Sequence, residues 1–209
     1  MSARWLVFDA MGVVFEVGDD VEELLIPYVR ARRPAIAPER IRSAYREASL
    51  GMLEPSGFWQ AVRLGAEYPE VERDYLDAAL RIDPLFVPVA ERLSASWSLG
   101  LLSNDVPQWS AYARARLSLD RLFGAVVISG EIGCRKPDPA IYAALLERTG
   151  AAPADCVLVD DRPANVEAAL RVGMKAVRFV REARAVQLPG EIATFRDLPA
   201  ALDLIAAGS

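Results

Sequence analysis

The chain has 209 residues, of which 53% are hydrophobic and 25% charged; this suffices for one good-sized core, or a core with a small appended domain, and excludes a disordered tail. The formal net charge is −5, and the densest basic group is only Arg30, Arg32 and Arg33, which argues against a nucleic-acid partner. No apolar run approaches a membrane span and the N-terminal stretch lacks the order of a signal peptide, so the expectation is no membrane association and a cytoplasmic location.

In chain order, Trp5-Leu6-Val7-Phe8 predicts a buried strand ending at Asp9. The next stretch carries helical rather than strand spacing over Asp19–Arg32, Pro38–Ala48, Phe58–Glu67 and Glu70–Arg81, punctuated by Pro34, Gly51, Pro55 and Pro69. It is expected to be a helical insertion. From Pro84 a strand–helix alternation resumes: helix Leu85–Ser94, strand Leu99–Leu102, helix Pro107–Leu117 and strand Ala125–Ile128. Asp138-Pro139 has the order of a helix start, with Gly150 at the expected stop; strand Cys156–Val159, helix Pro163–Val172 closed by Gly173, and strand Ala176–Val180 follow. Fully apolar strands alternating with helices predict an α/β fold: a Rossmann-like parallel sheet with helices on both faces, plus the inserted α-helical layer. The expected division is a core of residues 1–16 and 86–209 and a helical cap of residues 17–85.

Two absences shape the chemistry. The sequence has no histidine, which removes Ser-His-Asp, Cys-His and HExxH machinery. Its two cysteines, Cys134 and Cys156, show no pairing or zinc-binding pattern. An enzyme with this composition works through Asp, Glu, Lys, Ser and Asn, and a hard cation such as Mg²⁺ is its natural metal.

Polar residues interrupt the apolar pattern at one kind of place. Asp9, Ser103-Asn104 and Asp160-Asp161 each follow an apolar strand at its carboxyl end, where ligands bind in open parallel sheets. Lys136, in the loop Gly133-Cys134-Arg135-Lys136-Pro137, can reach the same rim. Helix capping is the ordinary explanation for an acid after a strand, and it suits Asp138 and Asp161. It does not suit Asp9, which is followed by Ala10-Met11-Gly12-Val13-Val14 rather than by a helix.

Taken together, these residues resemble the four motifs of the haloacid dehalogenase superfamily of hydrolases, subfamily I with a C1-type cap. Asp9 with Gly12-Val13 matches the first motif, Ser103 the second, Lys136 the third and Asp160-Asp161 the fourth. The runs Leu102-Ser103-Asn104, Arg135-Lys136-Pro137-Asp138 and Val159-Asp160-Asp161-Arg162-Pro163-Ala164-Asn165 are similar to its sugar-phosphate phosphatase-like branches. The resemblance implies a phosphatase for a small phosphorylated metabolite, with Asp9 as nucleophile and an aspartyl-phosphate intermediate. It further implies Mg²⁺ held by Asp9, the Met11 carbonyl and Asp161, with Asp160 orienting Lys136 or a metal-bound water. Ser103 and Lys136 hold the phosphoryl group, Asn104 and Arg135 assist, and Gly12 and Asn165 support the loops.

One position departs from that pattern. Phosphatases of the superfamily usually carry a second aspartate two residues after the nucleophile, as acid and base; here that residue is Met11. Three readings follow: a phosphatase whose leaving group needs little protonation, a metal-free 2-haloacid dehalogenase, or a binding or regulatory protein with little turnover. Glu16 is the nearest acid in sequence that can take over. Phe58, Trp59, Tyr45 and Arg46 are the expected lining on the cap side.

Overall fold

The computed structural model describes residues 4–79, 81–181 and 190–207. Strand β1 (Trp5–Phe8) is followed by a π-helical turn at Val21–Leu25 and helices α1 (Ile26–Arg32), α2 (Pro38–Ala48), α3 (Pro55–Ala61) and α4 (Glu70–Ala79). Then come α5 (Phe86–Leu93), β2 (Ser98–Ser103), α6 (Pro107–Arg116), β3 (Ala125–Ile128), α7 (Ser129–Ile132), α8 (Pro139–Thr149), β4 (Cys156–Asp160), α9 (Pro163–Arg171), β5 (Lys175–Phe179), β6 (Glu191–Ile192) and α10 (Leu198–Ala207). Among the described residues no helix is long and apolar enough to cross a membrane.

The strands form one six-stranded sheet in the order β3-β2-β1-β4-β5-β6, and every pairing is parallel. Burial on both faces explains the continuous apolar strand sequences. Leu6, Phe8, Leu99, Leu101, Val157 and Val159 face a layer that includes Phe86, Phe195, Leu198 and Leu202. Their neighbours Val7, Leu102, Val127 and Leu158 point the other way, onto Ile141, Tyr142 and Leu145 of α8 and Ala168 and Ala169 of α9. Asp138 caps α8 by accepting from the Ala140 N–H at 2.9 Å, and Gly150 ends it with φ 63°. Beyond Val180 the structure adds β6 and α10, which the patterning does not announce.

A third apolar cluster lies within the insert, combining Leu25, Val29, Ile41, Phe58, Trp59 and Tyr75 with Val106 and Trp109 at the start of α6. The helix expected over Phe58–Glu67 is shorter and starts earlier. Pro55, free of any need to donate, opens α3, and after Ala61 the chain folds back: Arg63 takes φ 62° and the Leu64 N–H donates to the Trp59 carbonyl at 2.7 Å. A separate 3₁₀ turn occupies Gly65–Glu67. Similarly, Asp19–Arg32 is a π-turn running into α1, and α4 stops before Arg81.

The insert is joined to the core through Glu72, one of whose oxygens accepts the indole N–H of Trp59 at 2.8 Å and that of Trp109 at 2.7 Å. Removing that oxygen strands two indole donors next to a packed aromatic cluster. Glu72→Ala is expected to destabilise the protein by about 2 kcal/mol, a fall in Tm of roughly 4–8 °C at this chain length. Glu72→Gln, which keeps an acceptor oxygen, is expected to lose less. Differential scanning fluorimetry of both variants reads this, and unchanged midpoints would mean that water replaces Glu72 freely.

Candidate active site

Parallel pairing brings the carboxyl ends of β1, β2 and β4 to one edge, because Phe8 is in register with both Leu101 and Val159. The polar residue that follows each apolar run therefore falls on the same rim: Asp9, Ser103 and Asp160. Strand order reverses at β1, whose neighbours β2 and β4 continue outward on opposite sides, and such a switch point opens a crevice. The Asp9 N–H still pairs with the Val159 carbonyl at 2.9 Å, so its side chain leaves a fixed backbone.

Lys136 reaches this rim from the loop between α7 and α8. Its ammonium lies 2.8 Å from Asp9 Oδ1 and 2.7 Å from Asp160 Oδ2, with its side chain only 1% exposed. Asn104 holds the lysine's backbone at two points: Nδ2 donates to the Lys136 carbonyl at 3.0 Å, and the Lys136 N–H donates to Oδ1 at 2.8 Å. Asp160 is fixed from its other side by the Arg162 N–H at 2.9 Å and by Asn165 Nδ2 at 2.9 and 3.1 Å. Asn165 is buried, and its carbonyl accepts from the Tyr142 hydroxyl at 2.9 Å. It is a support for the acid and not a surface position.

Asp161 does not cap α9; the N-cap residue is Arg162, with no side-chain capping bond. One Asp161 oxygen, Oδ1, is buried without a partner among the described residues. Its other oxygen packs against Gly12, where a Cβ would stand 2.3 Å from Oδ2, and Gly12 has φ +76°. Both the left-handed backbone and the close approach require glycine there.

The charges on this rim do not balance. Asp9, Asp160 and Asp161 can bring carboxylate oxygens within 4.8 Å of one another, against one ammonium. Burial pushes the Asp9 carboxyl up to about 8, and Asp160 adds to it, more than Lys136 offsets. Burial and the Asp160 charge likewise raise Asp161 to about 6. Burial opposes charge on Lys136, but Asp160 and Asp9 outweigh it and hold the ammonium above its ordinary value. Three ionised carboxylates and one lysine leave two uncompensated negative charges, which a divalent cation cancels. The orphaned Asp161 oxygen and the all-oxygen donor set fit such an ion.

Above this rim lies a cavity of about 250 Å³ that Asp9, Met11, Ser103, Asn104, Asn165 and Arg135 line from the core. Tyr45 and Arg46 line it from the insert. Phe58 and Trp59 do not; both are fully buried in the insert's own core. Glu16 is exposed and opens with Asp161 onto a different cavity. Asp20, Arg42 and Arg162 also line the first cavity, although the sequence does not single them out. Gly18-Asp19-Asp20 reads as an ordinary helix-start signal, and only the fold turns it inward.

This arrangement is an α/β site built on carboxylates and a lysine in place of histidine-based machinery. The family model for haloacid dehalogenase-like hydrolases matches residues 3–173, and the chain belongs to that family. It is similar to the phosphoserine phosphatase of Thermus thermophilus, 33% identical over 129 residues, covering 57% of this chain and 51% of that protein. It is also similar to (S)-2-haloacid dehalogenase 4A of Burkholderia cepacia, 24% identical over 201 residues, covering 87% and 84% of the two chains. Among solved structures, a HAD phosphatase from Thermococcus onnurineus superposes with a TM-score of 0.72 at 25% identity, covering 97% of this chain and 98% of that one. The chain spans about a third to a half of the length of the curated phosphatases it matches.

The raised carboxyls predict an inverted pH dependence of stability for the metal-free protein. An acid whose folded pKa exceeds its unfolded value contributes most below the unfolded value and loses that contribution as pH rises through the folded one. For Asp161 and Asp9 the loss runs from the ordinary carboxyl value of 3.8 up to about 6 and about 8. In chelator, Tm is expected to fall by several degrees between pH 5 and pH 8. Added Mg²⁺ is expected to raise Tm more at pH 8 than at pH 5, since the ion competes with protons. A metal-free Tm that rises over this interval would contradict the charge imbalance.

Proposed function

We propose that this chain is a Mg²⁺-dependent phosphatase for a small phosphorylated metabolite, with Asp9 as its nucleophile. The observation that carries the reading is the shared lysine: Lys136 contacts Asp9 and Asp160 while a neighbouring Asp161 oxygen has no partner. Such a rim favours a divalent cation and, with it, a substrate anion. Asp9, Asp161 and the Met11 carbonyl would hold the ion, with Asp160 beside them; when bound, it supplies charge neutralisation for the phosphoryl oxygens.

In this reading Asp9 attacks phosphorus in line, the leaving oxygen departs, and water then releases phosphate from the aspartyl-phosphate. Lys136 keeps the attacking carboxylate oriented and donates to phosphoryl oxygens. Ser103, buried on the cavity wall, donates to the same group, and Asn104 keeps Lys136 in place through its peptide. Residues 17–85 act as a cap, seated by the bond from the Ser129 hydroxyl to the Ser49 carbonyl at 2.6 Å. A cavity of about 250 Å³ under that cap suits a metabolite rather than a macromolecule. Arg135, which bonds the Ser49 hydroxyl and lies 5.7 Å from the Tyr45 ring centroid, offers positive charge on the wall.

Met11 favours a second reading, a 2-haloacid dehalogenase, because a halide leaves without a proton. The Asp160-Asp161 pair weighs against it, since an anionic substrate then meets two further negative charges with no cation. One panel separates the two. Phosphate release from phosphomonoesters is expected to stop in EDTA, return with Mg²⁺ and vanish in Asp9→Asn, while Lys136→Ala loses about 10²–10³-fold in kcat. Halide release from 2-chloropropionate that chelator leaves untouched would overturn the phosphatase reading.

A further inference from the structure

We propose that Asp20 is the catalytic acid and base that Met11 cannot be, an inference that rests on the phosphatase reading and extends it. Asp20 stands at the foot of the insert and lines the same cavity as Asp9, Met11 and Ser103. With Met11 it also lines a second, much smaller cavity, closed by Tyr75, Asp105 and Trp109, so the two residues border the same space twice. Glu16, the acid nearest in sequence, faces elsewhere.

The ordinary roles of such an aspartate are not filled. Asp20 occupies the N-cap position of Val21–Leu25, yet its side chain makes no capping hydrogen bond. Arg162, the nearby guanidinium on the core side, pairs with Asp19 instead, at 3.6 Å. The Tyr45 hydroxyl lies 3.5 Å from Asp20 Oδ2 and equally far from Asp105 Oδ1, but only 3.2 Å from the Asn104 carbonyl, which is the better acceptor. Asp20 is thus a buried carboxyl, 7% exposed, held only by the long contact with the Tyr45 hydroxyl and by its own backbone N–H, with no cation paired to it at salt-bridge distance among the described residues. Burial raises it to about 6 and Asp19 adds to that, while Arg162 and Arg135 pull it down. A protonated fraction near neutrality follows, as a proton donor requires.

The steps balance without a further reactant. As the Asp9–phosphorus bond forms, the bond from phosphorus to the leaving oxygen breaks with its electron pair, and that oxygen takes the Asp20 proton to leave as an alcohol. Water then attacks phosphorus, the Asp9–phosphorus bond breaks, and the water proton returns to the Asp20 carboxylate as phosphate departs.

The test compares full-length wild type, Asp20→Asn and Met11→Asp/Asp20→Asn with Mg²⁺ on glycerol 3-phosphate, phenyl phosphate, p-nitrophenyl phosphate and acetyl phosphate. These leaving groups need progressively less protonation. Asp20→Asn is expected to lose about 100-fold or more on glycerol 3-phosphate but less than about tenfold on acetyl phosphate, so the dependence of kcat/KM on leaving-group pKa steepens. Aspartate at position 11 is expected to restore alkyl ester turnover by at least about tenfold in the double variant, since general acids contribute on that scale or above. Equal losses on all esters, or wild-type activity confined to acetyl phosphate, would overturn the role of Asp20. Wild type inert on all four substrates would instead overturn the phosphatase reading.

Discussion

Too few positive charges at the end of the central strand govern this site. Lys136 is shared between Asp9 and Asp160, and a third acid, Asp161, adjoins them with one oxygen buried and unpartnered. Burying that set is unfavourable unless a cation completes it. Much of the neighbouring structure holds the imbalance in place. Asn104 fixes the lysine's peptide, Asn165 and the Arg162 N–H occupy Asp160, and Tyr142 holds the Asn165 carbonyl. Gly12 lets the first loop approach Asp161 closely. Each contact restricts a group that relaxation would otherwise move away from like charge.

Much of this was legible in the sequence, for a definite reason. A strand buried on both faces must be apolar, so a charged residue directly after it marks the strand end, and parallel pairing brings such ends together. Asp9, Ser103 and Asp160 are readable on that basis, and Ala125–Ile128 and Pro38–Ala48 keep their expected bounds. Lys136 is readable because the loop before α8 has its helix start marked by Asp138-Pro139.

What escaped depends on contacts between distant segments. Asn165 is legible through the resemblance alone, since its bonds to Asp160 five residues back are encoded in no periodicity. Phe58 and Trp59 have the spacing of a lining face, yet Glu72 and Trp109 draw them into the insert's core. Glu16 is closer than Asp20 to Asp9 in sequence, but the turn after Gly12 carries it to the outer side. β6 has only two residues, too few to show alternation, and α10 is apolar enough that no polar face delimits it.

Met11 links the charge imbalance to the inserted helices. An aspartate there would add a fourth carboxylate to a rim where three already adjoin one lysine. Methionine leaves the backbone carbonyl in place and packs its side chain, partly buried, against the core cluster that includes Phe8 and Phe15. An acid brought in from Asp20 avoids this crowding. It also belongs to the segment that opens the insert and shares Tyr45 with Asn104 and Asp105 of the core. On this proposal the contacts that seat the insert also position the proton donor, and turnover of poor leaving groups depends on the insert being seated. A donor on the first loop carries no such condition, because it stays with the nucleophile whether or not the helices are seated.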